Sequence, residues 1–174
     1  MPGMGKRHFL AYIATKREEA KVMYFSRLDI LWNLFSEPPT ARALIKGEKG
    51  YENLSGLAHF YETVQGVLVL VEMTNLPLPK LCESGIYAMH IHDMAGHYNP
   101  AGCMHPYHAG DMPPLFSTDG YALTIFVTDR FKISDIIGKM VVVHERRDDF
   151  STQPSGDAGE KIAVGIIENM RKTA

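Results

Sequence analysis

The chain has 174 residues, enough for one domain with a sizeable core, and its composition (45% hydrophobic, 22% charged) is that of an ordinary globular protein. The net charge of −2 comes from acids and bases spread along the chain, which excludes the basic surface of a nucleic-acid-binding protein. No apolar run approaches the roughly 20 residues that span a bilayer, and no secretory leader is recognisable, so we expect a cytoplasmic protein without a membrane segment.

The first part of the chain predicts a short helix. Residues 20–36 place apolar side chains at helical spacing, and two prolines after Glu37 end the pattern. We expect this helix to pack on the body of the protein or on a second subunit.

From Ala41 onward the pattern changes to short extended runs. In chain order these runs are ARALIKG, LSGLAHFYET, VLVLVEMTNL, GIYAMHIH, GYALTIFVTD, GKMVVVHE and KIAVGIIE. Runs of this kind, separated by glycine, proline, aspartate or asparagine, predict an all-β antiparallel sandwich or barrel. One helical turn is expected, around Ser134 to Ile137. Two long stretches, residues 93–117 and 145–160, carry no strand signal and are typical of functional loops.

Histidines are concentrated in one region. Six of the eight lie in or beside these two loops: His90, His92, His97, His105, His108 and His144. Side chains two residues apart on a strand lie on the same face, so we expect the rings of His90 and His92 to face the same ligand. Two buried imidazoles side by side are hard to satisfy with protein partners alone, and copper or zinc would resolve this. The remaining two, His8 and His59, are expected to be ordinary surface residues.

A second group of candidate ligands follows in the stretch HPYHAGD. His105, His108 and Asp111 stand at spacings of three, and a loop can bring such side chains onto one ion. Histidine nitrogens with one carboxylate oxygen make a suitable tetrahedral zinc shell. His144 ends the apolar strand MVVVH, so we expect it at the mouth of the sandwich.

At these residues the sequence resembles the copper/zinc superoxide dismutase family, over about Thr40 to Glu168. The stretches AMHIHD, GHYNP, HAGD, IIGKMVVVHERRDD and SGDAGEKIAVGII stand in the family's order. HPYHAGDMPPLF and TQPSG are similar to the variants of Gram-positive bacteria. The resemblance implies an eight-stranded Greek-key β-barrel, an immunoglobulin-like sandwich, at residues 40–170. Residues 1–39 are then a partly helical extension, and residues 171–174 a tail.

The resemblance also implies the metal ligands. Copper would be held by four histidines, and zinc by three histidines and an aspartate (His90, His92, His97 and His144 for copper; His97, His105, His108 and Asp111 for zinc). His97 would then bridge the two metals. By the same resemblance Asp148 links a copper histidine to a zinc histidine, and such a carboxylate fixes both ring orientations.

The implied activity is the disproportionation of superoxide to oxygen and hydrogen peroxide by Cu(II)/Cu(I) cycling, with zinc in a structural role. Lys161 stands where many family members carry an active-site arginine. A fixed positive charge there attracts a small anion, an effect for which this family is a standard example. A lysine keeps the charge but loses the rigid fork of arginine. Family members are often dimers, so a homodimer is a further expectation.

One loop departs from the family pattern. Only residues 93–96 separate His92 from His97, where most members have a longer loop containing a cysteine. Val164 stands at the place of that cysteine's partner, so both halves of the family disulfide are absent together. Their joint loss fits a reducing compartment.

The two cysteines that the chain does contain, Cys82 and Cys103, leave two alternatives open. A bridge between them would tie the start of the strand GIYAMHIH to the zinc loop. Otherwise both are free thiols.

Two functions of different classes fit the sequence. The first is an active copper/zinc superoxide dismutase. The second is a dismutase-like metal-binding protein without significant catalysis, either a zinc-stabilised barrel or a copper carrier. The four copper histidines favour the enzyme, and the shortened loop is the chief argument for the alternative. A zinc hydrolase is disfavoured, because no catalytic glutamate stands beside the histidines and HERRDD lacks the H-E-x-x-H pattern.

Overall fold

The computed structural model describes residues 37–170, and their regular structure is almost entirely β-strand. Within these residues nine strands follow one another: β1 (Ala41–Gly47), β2 (Ser55–Thr63), β3 (Gly66–Thr74), β4 (Ile86–Tyr87), β5 (Met89–His92), β6 (Leu115–Phe116), β7 (Ala122–Thr128), β8 (Met140–His144) and β9 (Lys161–Asn169). One helical turn, α1 (Ile133–Ile136), lies between β7 and β8, where the sequence predicts one. Among these residues no helix has the length and apolarity to cross a membrane. The helix predicted for residues 20–36 lies outside the described residues.

All seven predicted runs contain strands, and the burial pattern explains why. In β3 the side chains of Val67, Val69, Val71 and Met73 are buried at every second position, as expected for a strand with one face on the core. β6 has no counterpart among the predicted runs, because two residues are too few to show alternation. The strand-rich prediction is therefore confirmed for residues 37–170, which contain almost no helix.

The strands close into the predicted barrel. Seven of them form one antiparallel sheet in the order β5-β8-β9-β1-β2-β3-β7, and β4 pairs with β6 in a small second sheet. The small sheet links the two edges of the large one, since β4 continues across Ala88 into β5, and a bridge between Thr118 and Tyr121 joins the end of β6 to β7. Counted with β4 and β5 as one interrupted strand, the barrel has the eight strands expected. The step from β3 to the non-adjacent β4 makes the connection a Greek key.

The core decides which way the histidines of β5 point. Ile91 is fully buried and belongs to the same hydrophobic cluster as Phe60, Val141 and Ile167. Burying such a side chain contributes about 1.5–3 kcal/mol, which fixes the register of the strand. Because neighbouring residues of a strand face opposite sides, Ile91 in the core turns its two histidine neighbours to the outer face of the barrel.

The cysteine bridge that the sequence left open is not formed. Both Cys82 and Cys103 are free and exposed. Cys103 is held in its loop by Asn99, whose side-chain amide accepts from the Cys103 N–H at 2.9 Å and donates to the Cys103 carbonyl at 2.8 Å. Cys82 lies in the segment before β4, so the two thiols belong to separate solvent-facing segments.

Candidate metal centre

The first group of candidate ligands is placed by the register of two strands. His90 and His92 leave β5 on one face, and β8, which pairs antiparallel with β5, ends at His144. The His144 N–H donates to the carbonyl of Ala88 at 2.9 Å, which holds the strand end against β5. Ring nitrogens of His90, His92, His97 and His144 lie within 4.8 Å of one another. We call these four residues the strand cluster.

The shortened loop brings His97 into this cluster. The Asp93 N–H donates to the carbonyl of Gly96 at 2.9 Å, and the Asp93 carboxylate accepts from the Ala95 N–H at 2.8 Å. Gly96 has a φ of 140°, which only glycine adopts easily. This tight turn makes His92 and His97 an antiparallel bridge pair with ring centroids 4.7 Å apart. The short connection therefore positions the histidines rather than loosening them.

The second group lies on the loop after His97. Ring nitrogens of His97, His105 and His108 and a carboxylate oxygen of Asp111 lie within 4.8 Å of one another, and we call these four residues the loop cluster. Oδ1 of Asp111 lies 2.7 Å from Nδ1 of His97, and Oδ2 lies 3.1 Å from Nδ1 of His105. Nδ1 of His108 lies 3.3 Å from Nδ1 of His97. His97 is thus a member of both clusters.

Several ring nitrogens in the two clusters form no hydrogen bond with the protein. Among the described residues, buried nitrogens without a hydrogen bond include Nδ1 of His90, Nδ1 of His92, Nε2 of His97 and Nδ1 of His105. In addition, Nε2 of His92 and Nε2 of His144 lie only 3.3 Å apart. Leaving buried polar atoms unpaired costs about 1–3 kcal/mol each, so this pattern fits cations bound between the rings. Imidazole nitrogen suits copper, and three imidazoles with a carboxylate suit zinc.

Burial keeps three histidines of the strand cluster, His90, His92 and His144, neutral. Burial lowers the pKa of His90, of His92 to about 2 and of His144 to about 4. Neighbouring imidazoles and the charge of Lys161 lower the last two further. A neutral imidazole has a free lone pair, so these rings are able to bind a metal at neutral pH without first losing a proton.

The two aspartates of the site are held in the ionised form. Burial alone would raise the pKa of Asp111 and of Asp148. Hydrogen bonds outweigh that effect, from His97 at Asp111 and from His90, the Phe150 N–H and His105 at Asp148, so both carboxyl pKa values are lowered. Two buried negative charges, one in the loop cluster and one between the two clusters, are therefore present to offset bound cations.

Asp148 connects the two clusters. Its Oδ2 lies 2.8 Å from Nε2 of His90 and its Oδ1 lies 2.9 Å from Nε2 of His105. Both contacts use the nitrogen opposite the unpaired Nδ1, so the carboxylate directs each Nδ1 into its cluster. Gly156 packs against this carboxylate at a φ of 69°, and a Cβ there would lie 1.9 Å from Asp148 Oδ1.

The loop 145–160 and the segment after β7 supply contacts that the sequence analysis missed. The Gly159 carbonyl accepts from Nδ1 of His144 at 3.0 Å. The side-chain amide of Gln153 accepts from the backbone N–H of His105 and donates to the backbone carbonyl of His105. Arg130 donates to carbonyls of the loop that carries His108. No residue type or spacing could have found these contacts, because each joins a side chain or carbonyl to backbone far away in the chain.

Two further residues that the sequence singles out, Lys161 and His59, lie outside both clusters. Lys161 is exposed at the start of β9 and is the cross-strand partner of His144. His59 lies on β2 and belongs to neither cluster. His8 lies outside the described residues.

Comparison with known proteins finds a matching family model and two kinds of relative. The family model described as copper/zinc superoxide dismutase (SODC) matches residues 54–167. Superoxide dismutase [Cu-Zn] of Legionella pneumophila is 34% identical over 128 residues, which cover 65% of this chain and 77% of that protein. Superoxide dismutase [Cu-Zn] 1 of Aquifex aeolicus (strain VF5) is 31% identical over 149 residues, covering 71% and 82%.

A second kind of relative is also similar. The human copper chaperone for superoxide dismutase is 27% identical over 137 residues, which cover 60% of this chain and 48% of the chaperone. The Gram-positive subtype stays a prediction. Since the family model covers well over half of the chain, and copper and zinc are the metals of that family, the chain belongs to the copper/zinc superoxide dismutase family.

Proposed function

We propose that this protein is an active superoxide dismutase, which converts two superoxide ions and two protons to oxygen and hydrogen peroxide. In this proposal the strand cluster holds copper, the loop cluster holds zinc, and His97 is the shared ligand. The observation that carries it is that all four histidines of the strand cluster are present and converge within 4.8 Å. A zinc-stabilised barrel without catalysis would have no need to keep this set intact.

When bound, copper supplies one-electron chemistry, because it alternates between two oxidation states, and zinc, which is d¹⁰, does not. The chain's own residues set the geometry. Asp148 and the Gly159 carbonyl orient His90 and His144 by binding the nitrogens that face away from the strand cluster. These contacts would hold the two rings in place for a bound copper ion.

Lys161 gives the site a charge that matches its substrate. It is exposed beside His144, and its charge lowers the pKa of both His92 and His144. A positive charge that acts on these imidazoles also attracts a small anion approaching them. We therefore assign Lys161 to the capture of superoxide.

The decisive experiment combines metal analysis with a superoxide-decay assay on protein reconstituted with copper and zinc. We expect one copper and one zinc per chain and fast decay of superoxide. Zinc alone, with no decay after copper is added, would overturn the proposal. The zinc-only protein is the control for decay that does not depend on copper.

The alternative is a copper carrier without significant turnover. The similarity to a copper chaperone favours it, although this chain spans only about half of that protein. The two functions differ in copper release. A carrier gives up copper to a competing apo-dismutase within minutes and shows no decay, whereas the enzyme retains copper and turns over.

We propose in addition that the protein works in the cytoplasm as a homodimer. Two exposed free cysteines fit a reducing compartment. Sedimentation at micromolar concentration and cell fractionation test these two statements separately.

A further inference from the structure

We infer that Gln153 and Arg130 are positioning residues for the zinc half of the site. They hold the backbone of the loop cluster in the conformation that binds the metal. This inference rests on the proposed zinc role of the loop cluster. Neither residue is a metal ligand, and neither is part of the assignment above.

Gln153 binds the backbone of one loop-cluster residue at two points. Its Oε1 accepts from the His105 N–H at 2.9 Å, and its Nε2 donates to the His105 carbonyl at 2.8 Å. The ring of His105 is held in turn by Asp148, whose Oδ1 lies 2.9 Å from Nε2 of His105. With backbone and ring both fixed, the unpaired Nδ1 of His105 has only one direction in which to point.

Arg130 holds the other end of the same loop. Its Nη1 lies 3.2 Å from the carbonyl oxygens of Pro106 and Asp111 and 3.3 Å from that of His108. Three carbonyls that converge on one cationic nitrogen are drawn together, and two of them belong to loop-cluster residues. An arginine at this place therefore ties the backbone of His108 to that of Asp111 from outside the loop.

These two contacts have a specific task in this chain. Among the described residues both cysteines are free, so no disulfide restrains the loop from residue 97 to residue 111. A loop of this length gains considerable entropy when released, and a metal that binds it must then order it again. Gln153 and Arg130 fix the backbone of the cluster residues His105, His108 and Asp111 themselves when the chain folds, so zinc binding has a smaller ordering cost to overcome at its own ligands.

The test measures zinc affinity of the copper-free protein by competition with a chromophoric chelator. Gln153→Glu keeps the acceptor for the His105 N–H but places a carboxylate oxygen against the His105 carbonyl. Arg130→Gln removes the cation that gathers the three carbonyls. We expect each variant to bind zinc roughly 10- to 100-fold more weakly than the parent, the range seen for partners of metal ligands.

The chain offers matched controls. Asn99 makes the same two-point contact as Gln153 in the same loop, but on Cys103, which belongs to neither cluster. Arg146 binds the carbonyl and carboxylate of Asp157 on the surface. We expect Asn99→Ala and Arg146→Gln to change zinc affinity less than threefold. If Asn99→Ala weakens zinc as much as Gln153→Glu does, the effect is general loop ordering and the inference is wrong.

A spectroscopic readout separates positioning from stability. Cobalt(II) placed in the loop cluster reports ligand geometry through its visible absorption, so we expect altered band positions in Gln153→Glu and Arg130→Gln. Arg130→Lys keeps a cation with three N–H groups and should recover part of the parent spectrum. Unchanged spectra and affinities, in variants that unfold at the parent's temperature, would refute the inference. A parent protein that binds no zinc at all would instead refute the proposed function.

Discussion

The two clusters reach similar geometry by different means. The strand cluster takes three of its four histidines from β5 and β8, whose register is fixed by the barrel core. The loop cluster takes its residues from an irregular loop, and side chains from elsewhere in the chain hold that loop in place. Geometry set by a sheet is part of the fold, whereas geometry set by a few hydrogen bonds can be lost without unfolding. We therefore expect the loop cluster to be the more easily disturbed of the two.

The largest effect should come from His97, the residue that belongs to both clusters. His97→Ala removes one of four ligand candidates from each, so we expect at least about 100-fold weaker binding of copper and of zinc, more than is typical of residues behind the ligands. Metal content after dialysis, measured by mass spectrometry, checks this. His59→Ala is the control, because His59 lies in neither cluster. Unchanged content of both metals in His97→Ala would contradict the shared-ligand assignment.

The buried histidines of the strand cluster should make the metal-free protein less stable in acid. The folded-state pKa of His144 is about 4 and that of His92 about 2, both below the ordinary 6.5, chiefly through burial. The unfolded chain therefore binds more protons than the folded chain below pH 6.5, so stability is fully present above that pH and is lost as the pH falls toward 4. His144 alone corresponds to about 3 kcal/mol at 1.36 kcal/mol per pKa unit.

Thermal unfolding of the chelator-treated protein between pH 8 and pH 4 measures this loss. The pH dependence should be weaker in His144→Gln, which has no imidazole to protonate at that position. It should be almost unchanged in His59→Gln. Equal slopes in the parent and His144→Gln would show that acid sensitivity comes from elsewhere.

Asp148 is the contact through which one cluster can disturb the other. Asp148→Asn replaces one acceptor with a donor, so one of the two contacts with His90 and His105 is lost. We expect roughly 10- to 100-fold weaker binding of at least one metal. Since His105 keeps its backbone contact with Gln153, copper should suffer more than zinc. Equal losses at both sites in chelator titrations would argue against separate support of the two halves.

The same contrast explains how far the sequence could be interpreted. The strand cluster follows from an H-x-H pair on a short strand and a histidine that ends another strand, because alternation decides which side chains share a face. The spacing of His105, His108 and Asp111 only suggests that they converge, and the assignment of these three residues to one site with His97 comes from the family resemblance. The supports of the loop could not be predicted, since Gln153 stands 48 positions from His105 and contacts only its backbone. A contact with the backbone does not depend on which residue type stands at that position, so the residue type cannot predict it.

The sequence also left the effect of the shortened loop open, and the turn at residues 93–96 answers it. A shorter loop has fewer residues to order, so it loses less conformational entropy when the turn closes. The bridge between His92 and His97 shows that the shorter path still reaches the register both rings need. The favourable turn depends on Gly96, whose φ of 140° is accessible to few other residues.

The smallest expected effect concerns Lys161, whose charge acts on the strand cluster from the surface. Lys161→Gln should lower kcat/KM for superoxide by roughly three- to tenfold at low ionic strength, because one rim charge changes the rate of association more than the chemistry. The difference from the parent should shrink at high salt, where exposed charges are screened beyond a few ångströms. Lys161→Arg keeps the charge and should stay within about twofold of the parent, while zinc affinity should not change in either variant. A loss of kcat/KM that is equal at all salt concentrations would mean that Lys161 acts by packing or by hydrogen bonding at the site. Its influence on the imidazoles of His92 and His144 would then be a by-product of its position at the start of β9.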